Sequence, residues 1–346
     1  MRHLRSRHVG ALAVLASGAL VLAACGGSSD DNGGGGDAKP LSEIKVAGVV
    51  KGLDNPFFIT IKDGMEAAAA EYGIQLTVEA APGLNDETGQ ANKLDTLAGQ
   101  GFDCFVVIPI SSNNLTQGLG KISQQGIPIV NIDSPVDPAG LEAAGGKINA
   151  FVGTDNTAAG AKGGAVMKEV LGEDATVGLV AGLAGNVTSN ERIDGFQEGA
   201  AGMTFDGPIN ADWDTTKALD AANAMLASNP DISGFFAAND QMAQGIAQAV
   251  EQAGRSDIRV MGVDGIEAIL ADIAAGKVYG SVSQYPYVMG LLGVEACIVA
   301  AQGGTVPEFV ESPAVVITPD NVDKAIADFP LPPEAYENPF ATLIQR

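Results

Sequence analysis

Histidine is nearly missing from this chain of 346 residues: there are two, His3 and His8, both in the first ten positions. The body beyond them has no imidazole for a Ser-His-Asp or Cys-His nucleophile system, and none for an imidazole metal site. No cofactor or metal is called for. Cysteine is scarce as well, at three residues, Cys25, Cys104 and Cys297. The last two lie in apolar stretches, Phe102-Asp103-Cys104-Phe105-Val106-Val107 and Val294-Glu295-Ala296-Cys297-Ile298-Val299, which favours buried free thiols over a disulfide. Aromatic side chains make up 5% of the chain, so a core must come mainly from Ala, Val, Ile and Leu. Basic residues are outnumbered 19 to 42 by acidic ones; phosphates would be repelled by a formal charge of −23, which excludes nucleic acid as a partner. The length suits two domains of ordinary size.

At the N-terminus, Arg2, Arg5 and Arg7 precede an apolar run from Val9 to Leu22, followed by Leu22-Ala23-Ala24-Cys25-Gly26. The run falls short of the roughly 20 apolar residues that a membrane span needs, and its order predicts a secretory signal peptide over residues 1–24. Leu-Ala-Ala-Cys resembles the lipobox of bacterial lipoproteins. That likeness implies cleavage before Cys25, lipidation of Cys25, and attachment to the outer face of the cell membrane through lipid alone. Residues 25–43, with Ser28-Ser29-Asp30-Asp31-Asn32 and the glycines at 33–36, read as a flexible linker. The glycine run is no phosphate loop, because no strand precedes it and no helix with Lys-Ser/Thr follows. Cleavage would leave 16 basic against 42 acidic residues, a charge of −26, and no histidine.

From Ile44 onward, short apolar runs alternate with segments of helical period, the pattern of a parallel α/β fold. Strands are predicted at 44–50, 74–80, 104–109, 127–132 and 151–153, and in a second series at 176–181, 205–211, 234–238, 259–263 and 278–283. Helices between them include 56–72, 87–100, 158–171, 217–228 and 241–253. Two such series make two lobes. Open parallel sheets bind ligands beyond the carboxyl ends of their strands, so the residues there are informative. The first series supplies Lys51, Asn55, Phe57 and Phe58, then Asp133 and Ser134; the second supplies Asn190, Arg192, Trp213, Asn239, Asp264 and Gln284. Asn55 also suits a helix cap, with Pro56 in the first turn.

Carboxylates, carboxamides and aromatic rings together suit a polyhydroxylated ligand. A sugar hydroxyl donates to a carboxylate, and a carboxamide offers one donor and one acceptor to neighbouring hydroxyls. Such charge-assisted bonds are about twice as strong as neutral ones. Phe57, Phe58 and Trp213 would cover the C–H faces.

Lys51-Gly52-Leu53-Asp54-Asn55-Pro56-Phe57-Phe58, Lys62-Asp63-Gly64, Gly126-Ile127-Pro128-Ile129-Val130 before Asp133, Arg192-Ile193-Asp194-Gly195-Phe196, Ala238-Asn239-Asp240 and Gly262-Val263-Asp264-Gly265 resemble the ribose/galactose class of periplasmic sugar-binding proteins, over residues 44–317. The resemblance implies two Rossmann-like lobes with parallel sheets, joined by a three-stranded hinge, with ligand in the cleft. It places the crossings near Gly153-Thr154, after Gln284 and near Ser312-Pro313. The lobes would then be residues 44–153 with 285–312, and 154–284 with 313–346. It also implies sugar contacts from Asn55, Phe57, Phe58, Asp133, Trp213, Asn239, Asp264 and Gln284. Lys51, Ser134 and Asn190 depart from the ribose-binding pattern, the last two standing where arginines grip the sugar. Arg192 stands two residues beyond such a position, in a structural role. Losing guanidinium forks and gaining a flexible ammonium points to another pentose, a tetritol or a pentitol.

The implied function is non-enzymatic: a monomeric, lipid-anchored receptor that closes on a monosaccharide or sugar alcohol and passes it to the permease and ATPase of an ABC importer. Two alternatives compete. One is a sensory receptor for a sugar or autoinducer; the other is a glycoside hydrolase using Asp133 and Asp264 as its carboxylate pair.

Overall fold

The computed structural model describes residues 38–346. The calls on His3, His8, the signal peptide, Cys25 and most of the linker lie outside the described residues. Within them the chain alternates strand and helix: β1 (Lys45–Val50), α1 (Pro56–Tyr72), β2 (Gln75–Ala80), α2 (Glu87–Ala98), β3 (Cys104–Val107), α3 (Thr116–Gln124), β4 (Ile129–Ile132), α4 (Pro138–Ala143), β5 (Ala150–Gly153) and α5 (Asn156–Leu171). The second series runs β6 (Thr176–Ala181), α6 (Val187–Gly199), β7 (Thr204–Asn210), α7 (Thr215–Ser228), β8 (Ile232–Ala237), α8 (Asp240–Gln252), β9 (Arg259–Asp264), α9 (Glu267–Ala274) and β10 (Gly280–Ser283). It closes with α10 (Pro286–Ala301), β11 (Phe309–Glu311), β12 (Val315–Ile317) and α11 (Val322–Asp328).

Two six-stranded sheets result, ordered β11-β5-β4-β3-β1-β2 and β12-β10-β9-β8-β6-β7. All pairings are parallel except β10 with β12. Each order reverses direction at its first strand, so the loops after β1 and β3, and after β6 and β8, part to opposite faces and open a crevice. Strand alternation serves both faces of the first sheet: Val46 and Val50 join the core beneath α1 and α10, while Ala47, Val49, Phe105 and Val107 pack on Leu94, Leu97 and Leu119 of α2 and α3.

The chain passes between sheets from Gly153 to Asn156, from Ser283 to Pro286 and from Glu311 to Val315. Ser312 ties the three passages together: its N–H donates to Gly153 O (2.8 Å) and its Oγ to Gln284 O (2.7 Å). Helices α5 and α6 approach closely enough that a Cβ at Gly160 would collide with Arg192 O, and one at Gly195 with Thr157 O. This approach seats Arg192 of α6 beside the start of α5.

Two expectations need correction. Cys104 and Cys297 form a disulfide, Cα to Cα 5.6 Å, joining β3 to α10. The apolar neighbours that suggested free thiols suit a buried disulfide equally well, because both are shielded from solvent. The end of the tail, grouped with the second lobe over 313–346, returns to the first, while β12 stays on the second sheet: Asn338 Nδ2 donates to Glu295 Oε2 (2.8 Å), Gln345 N–H to Gln302 Oε1 (2.9 Å), and Phe340 is fully buried. Tyr72 donates to the other Glu295 oxygen (2.7 Å), so a buried carboxylate holds the tail to α1 and α10.

Candidate functional site

The carboxyl ends of both sheets face a cleft of about 430 Å³, within the range of small-molecule sites. On the first-lobe side, Asn55 caps α1 by accepting the Phe57 N–H (2.9 Å) at its Oδ1, which leaves its amide nitrogen to address the cleft. The cap fixes the first helical turn and thereby presents Phe57 and Phe58, whose rings meet edge to face at 5.3 Å. Lys51, just past β1, lays its ammonium 5.3 Å from the centre of the Phe58 ring and donates to Ser134 Oγ (2.7 Å). Ser134 Oγ donates in turn to Asp133 Oδ2 (2.7 Å), and the ammonium stands 3.9 Å from the same oxygen. Asp133 holds a left-handed backbone at φ 61°, which turns its carboxylate sharply off the end of β4. Burial pushes the Lys51 pKa down; Asp133 opposes that shift, Arg192 adds to it, and Asp264 opposes it.

On the second-lobe side, Arg192 is buried and anchored. Its Nε donates to Asn156 Oδ1 (2.9 Å), and its Nη1 donates to Ala238 O (2.7 Å) and Asp264 Oδ1 (3.3 Å). Asp264, at φ 137°, also accepts from Gln284 Nε2 (2.7 Å). Its carboxyl is pushed well above the usual carboxylate range by burial; Arg192 pulls it back, Asp240 pushes it further up, Gln284 pulls it back and distant Asp133 pushes it up. Asn239 caps α8 by accepting the Met242 N–H (3.0 Å), again leaving its amide nitrogen for the cleft. Trp213 sits in a loop where both Asp212 and Trp213 have positive φ, 51° and 64°, and its ring lies against the hydrogen face of Gly182.

Ten of the twelve sequence-predicted contacts line the cleft: Lys51, Asn55, Phe57, Phe58, Asp133, Ser134, Arg192, Trp213, Asn239 and Asp264. Gln284 lies behind it, 1% exposed, and acts on Asp264. Asn190 does not join them and is exposed. Residues 188–192, placed in sequence only by their position after a strand, lie in the first turns of α6, where positions two apart point to opposite sides. Asn190 therefore faces out, away from the position expected for a ligand contact, while Arg192 faces in and is held by Asn156, Ala238 and Asp264. Glu87, Ser111 and Ser112 also line the cleft and were not singled out. Only their places after β2 and β3 could have marked them.

Half-buried Lys51 and buried Arg192 each face one carboxylate, so these four charges offset one another in pairs, while the cleft offers acceptors (Asp133, Asp264), amide donors (Asn55, Asn239) and aromatic faces. Such a surface binds neutral molecules rich in hydroxyls. Among the described residues, no cluster of His, Cys, Asp or Glu could hold a metal ion, and no helix is long and apolar enough to cross a membrane.

A family model described as a periplasmic binding protein domain matches residues 46–305. The D-allose-binding periplasmic protein of Escherichia coli (strain K12) is 35% identical over 283 residues, covering 79% of this chain and 91% of that one. A xylitol-binding protein of Mycolicibacterium smegmatis is 30% identical over 325 residues, 92% of this chain and 87% of the other. Among solved structures, an ABC transporter periplasmic solute-binding protein from Actinobacillus succinogenes 130z with bound D-allose superposes with a TM-score of 0.78 at 27% identity, covering 82% of this chain and all of that one.

Proposed function

We propose, from the premise that this chain belongs to the periplasmic binding protein family, that it is the exported solute receptor of an ABC importer for a monosaccharide or small sugar alcohol. As a member of that family it binds rather than transforms its ligand, which sets aside the glycosidase built on Asp133 and Asp264. One observation carries the reading: acceptors, amide donors and aromatic rings from both lobes converge on one cleft at the carboxyl ends of both sheets. Closure follows from ligand contacting both walls at once, because only differential affinity for the closed state can shift the equilibrium. The permease and ATPase are the partners, and Cys25 tethers the receptor through lipid to the outer face of the membrane.

The ligand is of pentose, tetritol or pentitol size. Lys51 occupies one side of Phe58 and bridges to Ser134, which narrows the first-lobe wall, and a relative of similar length is a xylitol-binding protein. A panel of pentoses, hexoses, tetritols and pentitols, followed by Trp213 fluorescence and thermal shift, tests this. Saturable change with one small polyol or pentose supports it; silence in both signals across the panel refutes the ligand class. Cys25→Ser should release the protein from the membrane fraction, and retention there would count against the lipid tether.

A further inference from the structure

Asp240 is a fully buried carboxylate that does not line the cleft. It opens α8, directly after Asn239, and each of its oxygens is engaged. Oδ2 accepts the N–H groups of Gly265 (2.7 Å) and Ile266 (3.1 Å), while Oδ1 accepts the Ser281 hydroxyl (2.6 Å). These partners belong to the turn between β9 and α9 and to β10, so one side chain joins three successive units of the second lobe. The turn it grips is the one that needs gripping. Asp264 at φ 137° and Gly265 at φ 76° are consecutive residues in conformations that L side chains rarely adopt, and such strain persists only where surroundings over-determine it. Space for the carboxylate comes from Gly262, where a Cβ would strike Asp240 Oδ1.

We infer that Asp240 is a positioning residue for the ligand site, holding Asp264 in its cleft-facing conformation from behind. The inference rests on the cleft being the ligand site. The groups facing Asp264 are Arg192 from α6, Asp240 from α8, Gln284 after β10, and, across the cleft, Asp133 and Lys51. Arg192 is the cation that favours the ionised form of both acids, while the Asp240 charge disfavours the ionised form of Asp264. Burial pushes Asp240 up to about 6, against the pull of Ser281, Ile266, Gly265 and Arg192.

The test compares the wild-type protein with Asp240→Asn. The Asp264 carboxyl is followed by ¹³C NMR against pH in the ligand-free protein, and affinity for xylitol and D-allose is measured by calorimetry. Removing the neighbouring charge should move the Asp264 titration down by about one pH unit. At a pH above the Asp264 titration of both proteins, losing hydrogen bonds to a charged acceptor should weaken probe binding roughly tenfold. A purely structural Asp240 would lower the melting temperature and leave the Asp264 titration in place, and that result overturns the inference. Should Asp240→Asn fail to fold, Ser281→Ala removes one of the three bonds with no change of charge; affinity should fall by about threefold, and unchanged affinity rejects the positioning role. If neither probe binds the wild type, the strongest binder of the sugar and polyol panel takes their place, and the Asp264 titration, read without ligand, still decides on Asp240.

Discussion

The two walls of the cleft follow one plan with unequal rigidity. Each lobe places an aspartate of positive φ at the end of its fourth strand, Asp133 after β4 and Asp264 closing β9, and sets against it a cation that follows its first strand, Lys51 after β1 and Arg192 in α6. Each also supplies an asparagine that caps a helix and turns its amide to the cleft, Asn55 and Asn239. The difference lies in the support. Lys51 reaches Asp133 through one serine hydroxyl, whereas Arg192 is fixed by an amide oxygen, a main-chain carbonyl and Asp264, which is in turn held by Gln284. A planar fork with several acceptors is pre-organised, and a single flexible ammonium is not. The second-lobe wall is thus a finished template, and the first-lobe wall is the side that can vary with ligand.

Substitutions can break that comparison in order of expected size. Asp264→Asn removes the carboxylate that pairs with buried Arg192 and accepts ligand hydroxyls; truncating a buried hydrogen-bonded charge partner costs about 2–5 kcal/mol, so calorimetry should show binding weakened by roughly thirtyfold or more. Arg192→Lys keeps the charge but cannot reach three acceptors, and a loss of about tenfold or greater is expected for every ligand alike. Lys51→Met should cost less, a few-fold, and should change the ratio between ring sugars and open-chain polyols; equal losses across the panel would erase the distinction between a fixed and an adaptable wall. Asn190→Ala, on the outer face of α6, should stay within about twofold of wild type.

Acidity sharpens the same contrast. Hydroxyls donate to the ionised carboxylate, so binding favours the form without the proton. Because burial holds the Asp264 carboxyl above the usual range, affinity should fall as pH drops through its titration, at a higher pH than an exposed aspartate would allow. An affinity flat from pH 5 to pH 9 would show that Asp264 does not accept from the ligand.

Much of this arrangement was readable in the residues. The β6 run Thr176–Ala181 and the α1 segment Pro56–Tyr72 coincide with the predicted elements, because apolar runs bounded by polar turns and a capped, proline-led helix are local signals. The cleft residues were legible because position at a strand end is a topological property. What escaped depended on tertiary placement. The helical turn at 187–192 turned Asn190 away from the cleft and Arg192 towards it, a phase invisible to a reading by strand ends. The Cys104–Cys297 disulfide joins segments 193 residues apart, and no spacing rule links them. Asp240 was seen only as the neighbour of Asn239, since its hydrogen bonds run to a turn and a strand distant in sequence.

The most direct measurement is a crystal structure of the protein with the strongest binder from the polyol and sugar panel. A receptor of this design should hold one ligand molecule whose hydroxyls lie within hydrogen-bond distance of Asp133 and Asp264 at once, with Trp213 and Phe58 against its C–H faces. Ligand resting on one wall alone, or bound outside the cleft, would contradict it.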